Sequence, residues 1–232
     1  MKKTRRSIEI RLFNSKKKSM AQLWNRYTSK SQEFKGGIPV WVEIPKDRVS
    51  GGLVMNKLRD MEVLASGSPV EYNYKTHEAK ILKCFEVENA TSADLNTIIT
   101  IKKTAKTPKL YAGMNVMVAP SSLTGTGKAI TLDNVDESED GKYKITVVTA
   151  NIDAVSKGKF IVEAEGAGTG QHMFAQPNNL TKEDTVGGEQ NTVGIPRGVK
   201  YIYENMIPAM PKIVKDNIEL VEWEWFPEEV TE

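Results

Sequence analysis

From residue 60 onward the chain alternates short runs of β-forming residues with turn residues: MEVLA, PVEYNY, AKILKCFEV, TIITIKK, LYAGMNVMVA, KAITLDNV, KYKITVVTA, GKFIVEA and, near the end, IELVEWEWF. Apolar residues at every second position put one face of a strand on a core, and short strands at this spacing predict a sandwich or barrel-like domain. Between the runs lie Gly, Ser, Thr and Asn, with DESEDGK (136 to 142) the clearest hairpin turn. A glycine turn running into a short apolar strand recurs in ASGSPVEY, YAGMNVMVA and VSKGKFIVEA, where the glycine supplies the positive φ of a tight turn.

The helical period is confined to the N-terminal region. Ser19 and Gln22 form a capping box, and Met20, Leu23, Trp24 and Tyr27 follow at i, i+3, i+4 and i+7, which predicts one short helix. Packing of that stripe on its own domain is the simpler reading, and docking on a partner the alternative. Before it, Ile8, Ile10 and Leu12 alternate in IEIRLF, a single short strand within an extended arm. After Gly36 and Gly37, the prolines of IPVWVEIP (Pro39 and Pro45) argue for an edge strand. The expected organisation is a basic arm plus helix (1 to 35), an extended or edge-strand connector (36 to 59) and a β domain (60 to 164). A long loop rich in Gly, Thr, Asn and Gln (165 to 198) and a C-terminal extended segment with a strand (199 to 232) complete it. Prolines in MIPAMPKIV argue against a continuous helix or central strand over 205 to 213.

Charge changes this picture more than composition does. Residues 1 to 35 hold eleven Lys and Arg against Glu9 and Glu33, a local charge of +9; the remainder, with 21 bases and 28 acids, carries −7. From Asp216 to the end there are seven acids and no base. A basic segment of this kind attracts phosphate or an acidic protein surface, in a salt-sensitive way, and two such chains can pair head to tail. The docking candidates are therefore Lys2, Lys3, Arg5, Arg6, Arg11, Lys16, Lys17 and Lys18, with Leu23, Trp24 and Tyr27 on the helix. A single cysteine excludes an intrachain disulfide and points to an intracellular setting. No apolar run approaches the roughly 18 residues of a membrane span, and Glu9, Arg11 and Asn14 interrupt any signal-like core, so a soluble, uncleaved chain is expected, with no membrane contact.

The chemical motifs point away from catalysis. TGTGKA (124 to 129) lacks the first glycine of a phosphate loop, Ser122 standing in its place, and Ala129 occupies the position of the metal-binding hydroxyl. With only His77 and His172 and one thiol, Cys84, neither a two-histidine zinc site nor a thiolate cage can be assembled. Cys84 lies in a strand and reads as structural. Carboxylates abound, but they cluster in turns and tail, and an aromatic content of 7% is modest for a carbohydrate cleft. In IELVEWEWF, Val221, Trp223 and Trp225 share one face and Glu222 and Glu224 the other. That is either a last core strand or an edge strand that adds to a neighbour's sheet.

AKILKCFEVENATSADL, LYAGMNVMVA, VSKGKFIVEA, NNLTKEDTV and VKYIYENMIPAMPKIVKDNI together give a resemblance over residues 60 to 218. The chain resembles the head-fibre and head-decoration (auxiliary capsid) proteins of tailed bacteriophages, nearest to those of the crAss-like and related phages of gut Bacteroides. Residues 1 to 50 lie outside it. The resemblance implies a non-catalytic, cofactor-free virion protein on the outside of the capsid, assembled in the bacterial host cytoplasm, bound to the major capsid protein and oligomeric with itself. Two alternatives stay open. One is a packaging or head-interior protein that binds nucleic acid through the arm, although Phe13 is the only aromatic there before the helix. The other is a host-glycan adhesion module using the 165 to 198 loop. The fold expected is mainly β, a sandwich or barrel with a basic arm and one short helix.

Overall fold

The computed structural model describes residues 41 to 43, 49 to 55, 58 to 59, 62 to 187 and 192 to 225. The chain divides into two units, Met1–Ile38 and Pro39–Glu232. The first lies outside the described residues, and with it the expected arm and helix. The second is mainly β, its sheets curled into a near-barrel and a half-barrel.

Seven strands form the larger sheet: β6 (Cys84–Ala93), β7 (Asn96–Lys102), β8 (Asn115–Val118), β9 (Gly127–Thr131), β10 (Lys142–Val148), β11 (Phe160–Glu163) and β12 (Gly168–Gln171). Their order is β10-β7-β6-β11-β8-β9-β12, and every pairing is antiparallel. The alternation of NTIITIK and KYKITVV sets the register: Ile99 pairs with Ile145, and both point inward with Ile101, Tyr143 and Val147. Phe85, Val87, Val116, Val118 and Ile161 complete that face. The turns run as the glycine pattern predicts, for Gly67, Gly113 and Gly158 have φ of 79, 88 and 80°. Gly141 (φ 71°) closes the acidic hairpin turn at the start of β10.

The middle of this sheet is covered on its other face too. Cys84, Met117, Val162 and Ala164 pack there against Ile202, Ile207, Met210, Val214 and Ile218 from the C-terminal segment. Strands buried on both faces lose their polar alternation, which explains why the ILKCF run is apolar at every position but Lys83. That run is also not one strand. It breaks at Leu82 and Lys83, between β5 (Glu78–Ile81) in the second sheet and β6 in the first.

The second sheet, in the order β13-β4-β5-β2-β15, joins β2 (Val49–Val54), β4 (Pro69–Tyr72), β5, β13 (Asn179–Leu180) and β15 (Thr192–Pro196). Its core is Leu64, Val70, Tyr72, Ala79, Ile81, Val193 and Ile195. Its outer strands bend toward each other: Lys182 N donates to Gly194 O at 2.8 Å and Asn179 Nδ2 to Pro196 O at 3.0 Å. A two-stranded piece, β3 (Val63–Leu64) with β14 (Thr185–Val186), and a three-stranded sheet of β1 (Trp41–Glu43), β16 (Lys200–Tyr203) and β17 (Val221–Glu224) complete the fold.

Four expectations are corrected. The connector over 36 to 59 contains β2, which is an interior strand between β5 and β15. Two glycines mask its pattern, and Gly52 is small because a Cβ there would meet Ala79 at 3.0 Å and the Tyr72 ring at 3.1 Å. β1, by contrast, does lie at a sheet edge. The 165 to 198 stretch is not a long loop: it supplies β12 to β15, four short strands that take their partners from distant segments rather than from apolar periodicity of their own. The second sheet consequently draws strands from before and after 60 to 164, so that span is not a domain by itself. In the C-terminal segment a helix, α1 (Lys212–Asn217), starts directly after Pro211, where the proline that ended the preceding extended chain becomes its N-cap.

One glycine, directly after β14, lies against the chain at Leu58 and Arg59. A Cβ on Gly187 would lie 2.1 Å from Arg59 O and 2.8 Å from Leu58 Cβ. Gly187→Ala is expected to cost about 1–3 kcal/mol through this overpacking, read as a lower urea midpoint at unchanged m-value.

Candidate docking edge and buried charge cluster

The eleven arm and helix residues read from the sequence as docking groups (Lys2, Lys3, Arg5, Arg6, Arg11, Lys16, Lys17, Lys18, Leu23, Trp24 and Tyr27) lie outside the described residues. Val221, Trp223 and Trp225 are described. β17 runs parallel to β16, with Lys200 opposite Val221 and Tyr203 opposite Glu224. It is the last strand of its sheet, so its outer edge has no strand partner among the described residues. The strand is aimed by the turn before it: Leu220 takes φ 56°, its carbonyl accepts from Lys200 N at 2.8 Å, and the Lys200 ammonium donates to Glu219 O at 3.0 Å. Burial lowers the Lys200 pKa, an effect Glu219 opposes.

The strand lies at a sheet edge and is partly anchored in the core. Val221 and Trp223 are half-buried and pack on the C-terminal core, and the Lys215 ammonium stands 6.0 Å above the Trp223 ring while pairing with Glu204. Trp225 is 64% exposed, as is Leu220 at 59%, and Glu222 and Glu224 face solvent between them. The result is a strand edge, open among the described residues, with apolar groups at both ends and acids along its outward face.

A second arrangement is internal, and the motif search missed it. Lys83, in the link between β5 and β6, is 1% exposed and pairs with Glu62 Oε1, whose side chain is equally buried. Glu62 Oε2 accepts from Arg59 N at 2.9 Å. The Tyr111 ring lies 3.6 Å from the Arg59 guanidinium carbon and 5.1 Å from the Lys83 ammonium. Glu163, at the end of β11, joins from the third side; burial pushes its carboxyl up to about 7, with Lys83 lowering and Glu62 raising it. The signal was present in the sequence, since a lone base inside an apolar run such as ILKCF requires a buried counter-charge. No substrate reaches an ammonium this enclosed, so the cluster closes the seam between the two main sheets.

The remaining chemical candidates resolve into structure. Cys84 is buried, and desolvation, then the nearby Glu163 charge, push its thiol far above the ordinary range, which removes it as a nucleophile. In TGTGKA the backbone N–H of Lys128 donates to Asp153 Oδ2 at 2.9 Å, and that carboxylate fills the space beside Gly127 that a phosphate would need. His77 Nδ1 lies 2.6 Å from the Tyr72 hydroxyl, which also reaches Gly51 O at 3.0 Å, a bracing contact within the second sheet. A groove of about 550 Å³ between Pro120, Phe160 and Ile213 is open and bears Lys159 and Asp153 at its walls. Among the described residues no group of three or more His, Cys, Asp or Glu is placed to hold a metal, and no helix is long and apolar enough to cross a membrane. Comparison of the chain with protein-family models, with curated proteins and with solved structures found no match.

Proposed function

We propose that this chain is a non-catalytic auxiliary protein of a tailed-phage head, a decoration or head-fibre subunit that binds the major capsid protein and assembles with copies of itself. The observation that carries the reading is the β17 edge, without a strand partner among the described residues, with its exposed Trp225, in a chain whose first 35 residues hold a charge of +9. An unpaired strand edge recruits a neighbouring strand through its main chain, and an exposed tryptophan anchors such contacts. The basic arm supplies a salt-sensitive attraction to an acidic shell. The sequence resemblance to head-decoration proteins supports the same assignment. The glycan-adhesion alternative rests on 165 to 198, a stretch that contributes the four short strands β12 to β15.

The test is co-sedimentation of the full chain with empty shells of the phage that encodes it, across a salt series. Trp225→Ala is expected to weaken attachment by about 10- to 30-fold. Deletion of residues 1 to 18 is expected to remove the salt-sensitive part of the affinity. Unchanged attachment in both variants sinks the assignment. Steep, salt-dependent binding to duplex DNA without shell binding transfers the arm to the packaging alternative, which the +9 charge also favours.

A further inference from the structure

The seam between the two main sheets holds two carboxylates and one ammonium. Glu62 enters from the chain ahead of β3 of the two-stranded piece, Lys83 from the link that leads from β5 in the second sheet to β6 in the first, and Glu163 from β11 of the larger sheet, so three separate segments bring the charges together. Lys83 is committed to Glu62. Glu163 is fixed through its backbone, its N–H donating to Lys83 O at 3.0 Å and its carbonyl accepting from Phe174 N at 2.9 Å. The base of its side chain is thereby held beside Lys83, and Oε2 is buried with no hydrogen-bond partner among the described residues.

Among the described residues, Lys83 is the base whose charge acts on Glu163. β6 contributes Cys84, whose thiol stays neutral. β8 contributes Val116, opposite Glu163, and no titratable group. The 58 to 62 segment contributes Glu62 and Arg59, whose guanidinium is turned to the Tyr111 ring and Ala112 O. The strand-like stretch at 172 to 174 contributes His172, whose Nδ1 is buried and unpartnered, while the charges that act on Glu163 are those of Lys83 and Glu62. With Glu163 ionised the buried group has a net charge of −1 in a medium that solvates charge poorly. With Glu163 protonated it is neutral.

We propose that Glu163 is a proton-operated clasp on the seam: protonated, it lets the link at Lys83 and the segment carrying Glu62 close on β11; ionised, it loosens both. The carboxyl titrates higher in the folded chain, at about 7, than in the unfolded chain, near 4.5. Its contribution to stability is therefore complete below the unfolded value and disappears as pH rises through the folded one. The exposed carboxylate of Glu139 runs the opposite way. Hydrogen bonds from Lys142 and then Lys144 hold it down at about 2, so its effect is lost only in strong acid. The clasp stands independently of the capsid assignment.

Full-length protein and Glu163→Gln, compared by thermal unfolding at pH 5 and pH 8, separate this titration from all others. The variant's melting temperature minus that of the parent is expected to rise by about 5–10 °C between the two pH values. The Gly187 amide, which donates to Glu62 O, is expected to lose exchange protection at pH 8 in the parent alone. A carboxyl carbon NMR titration of the parent provides a reading that needs no variant. A Glu163 midpoint near the ordinary 4.5, or the same pH dependence in both proteins, overturns the clasp.

Discussion

Lys83→Met is expected to lower the unfolding free energy by about 3–5 kcal/mol at pH 7, measured by urea denaturation. The cost lies in what remains. Glu62, buried as completely as the lysine it pairs with, is left as an uncompensated anion beside Glu163. Pairing the change with Glu62→Gln is expected to recover a large part of the loss, because a neutral amide has no charge to desolvate and can still accept from Arg59 N. A single-variant loss below about 1 kcal/mol, or a double variant no better than the single, removes the ion pair as the element that closes the seam.

Val214→Asp is expected to cost at least about 3 kcal/mol and to disable the docking edge at the same time. Val214 is the buried residue of α1 and is inaccessible to solvent. It packs with Ile202, Ile207 and Met210 on the back of the larger sheet, against Met117 and Val162. A carboxylate at that position has no base in the cluster to meet. Release of the C-terminal cover also frees Trp223, so the tryptophan emission is expected to shift to the red before the rest of the protein unfolds. Shell attachment is expected to fall with it, while Ile145 and its partners in the opposite core retain their protection in hydrogen exchange.

Much of the larger sheet is legible in the sequence, for a physical reason. β7 and β10 bury one face only, so NTIITIK and KYKITVV keep the period of two that marks a strand. The three glycine turns are legible because positive φ restricts the residue. Strands held chiefly by their neighbours are not. β2 reads VSGGLV, with two glycines where a pattern needs side chains, and β13 and β14 are two residues each. Their pairing depends on partners more than a hundred residues away, which no local window contains. α1 was hidden by a proline that caps it. At the candidate edge, alternation puts Val221 and Trp223 on the half-buried side of β17, while Trp225 follows the end of the strand. What separates the anchored Trp223 from the exposed Trp225 is where the supporting core ends. The Glu62, Lys83 and Glu163 cluster shows as three isolated charges in apolar runs, and their meeting is a property of the fold alone.

The pairing of β2 with β15 has a consequence during synthesis. Leu53 and Thr192, adjacent across that ladder, leave the ribosome separated by well over a hundred residues, roughly ten seconds at ordinary elongation rates. Through that interval β2 has β5 on one side and nothing on the other, a bare strand edge on a growing chain. The closing ladder is also a contact of large sequence separation, which makes its formation slow relative to the local hairpin of β6 and β7. The order of maturation is thereby set: the larger sheet's hairpins form as they emerge, and the smaller sheet closes last, once β15 has emerged.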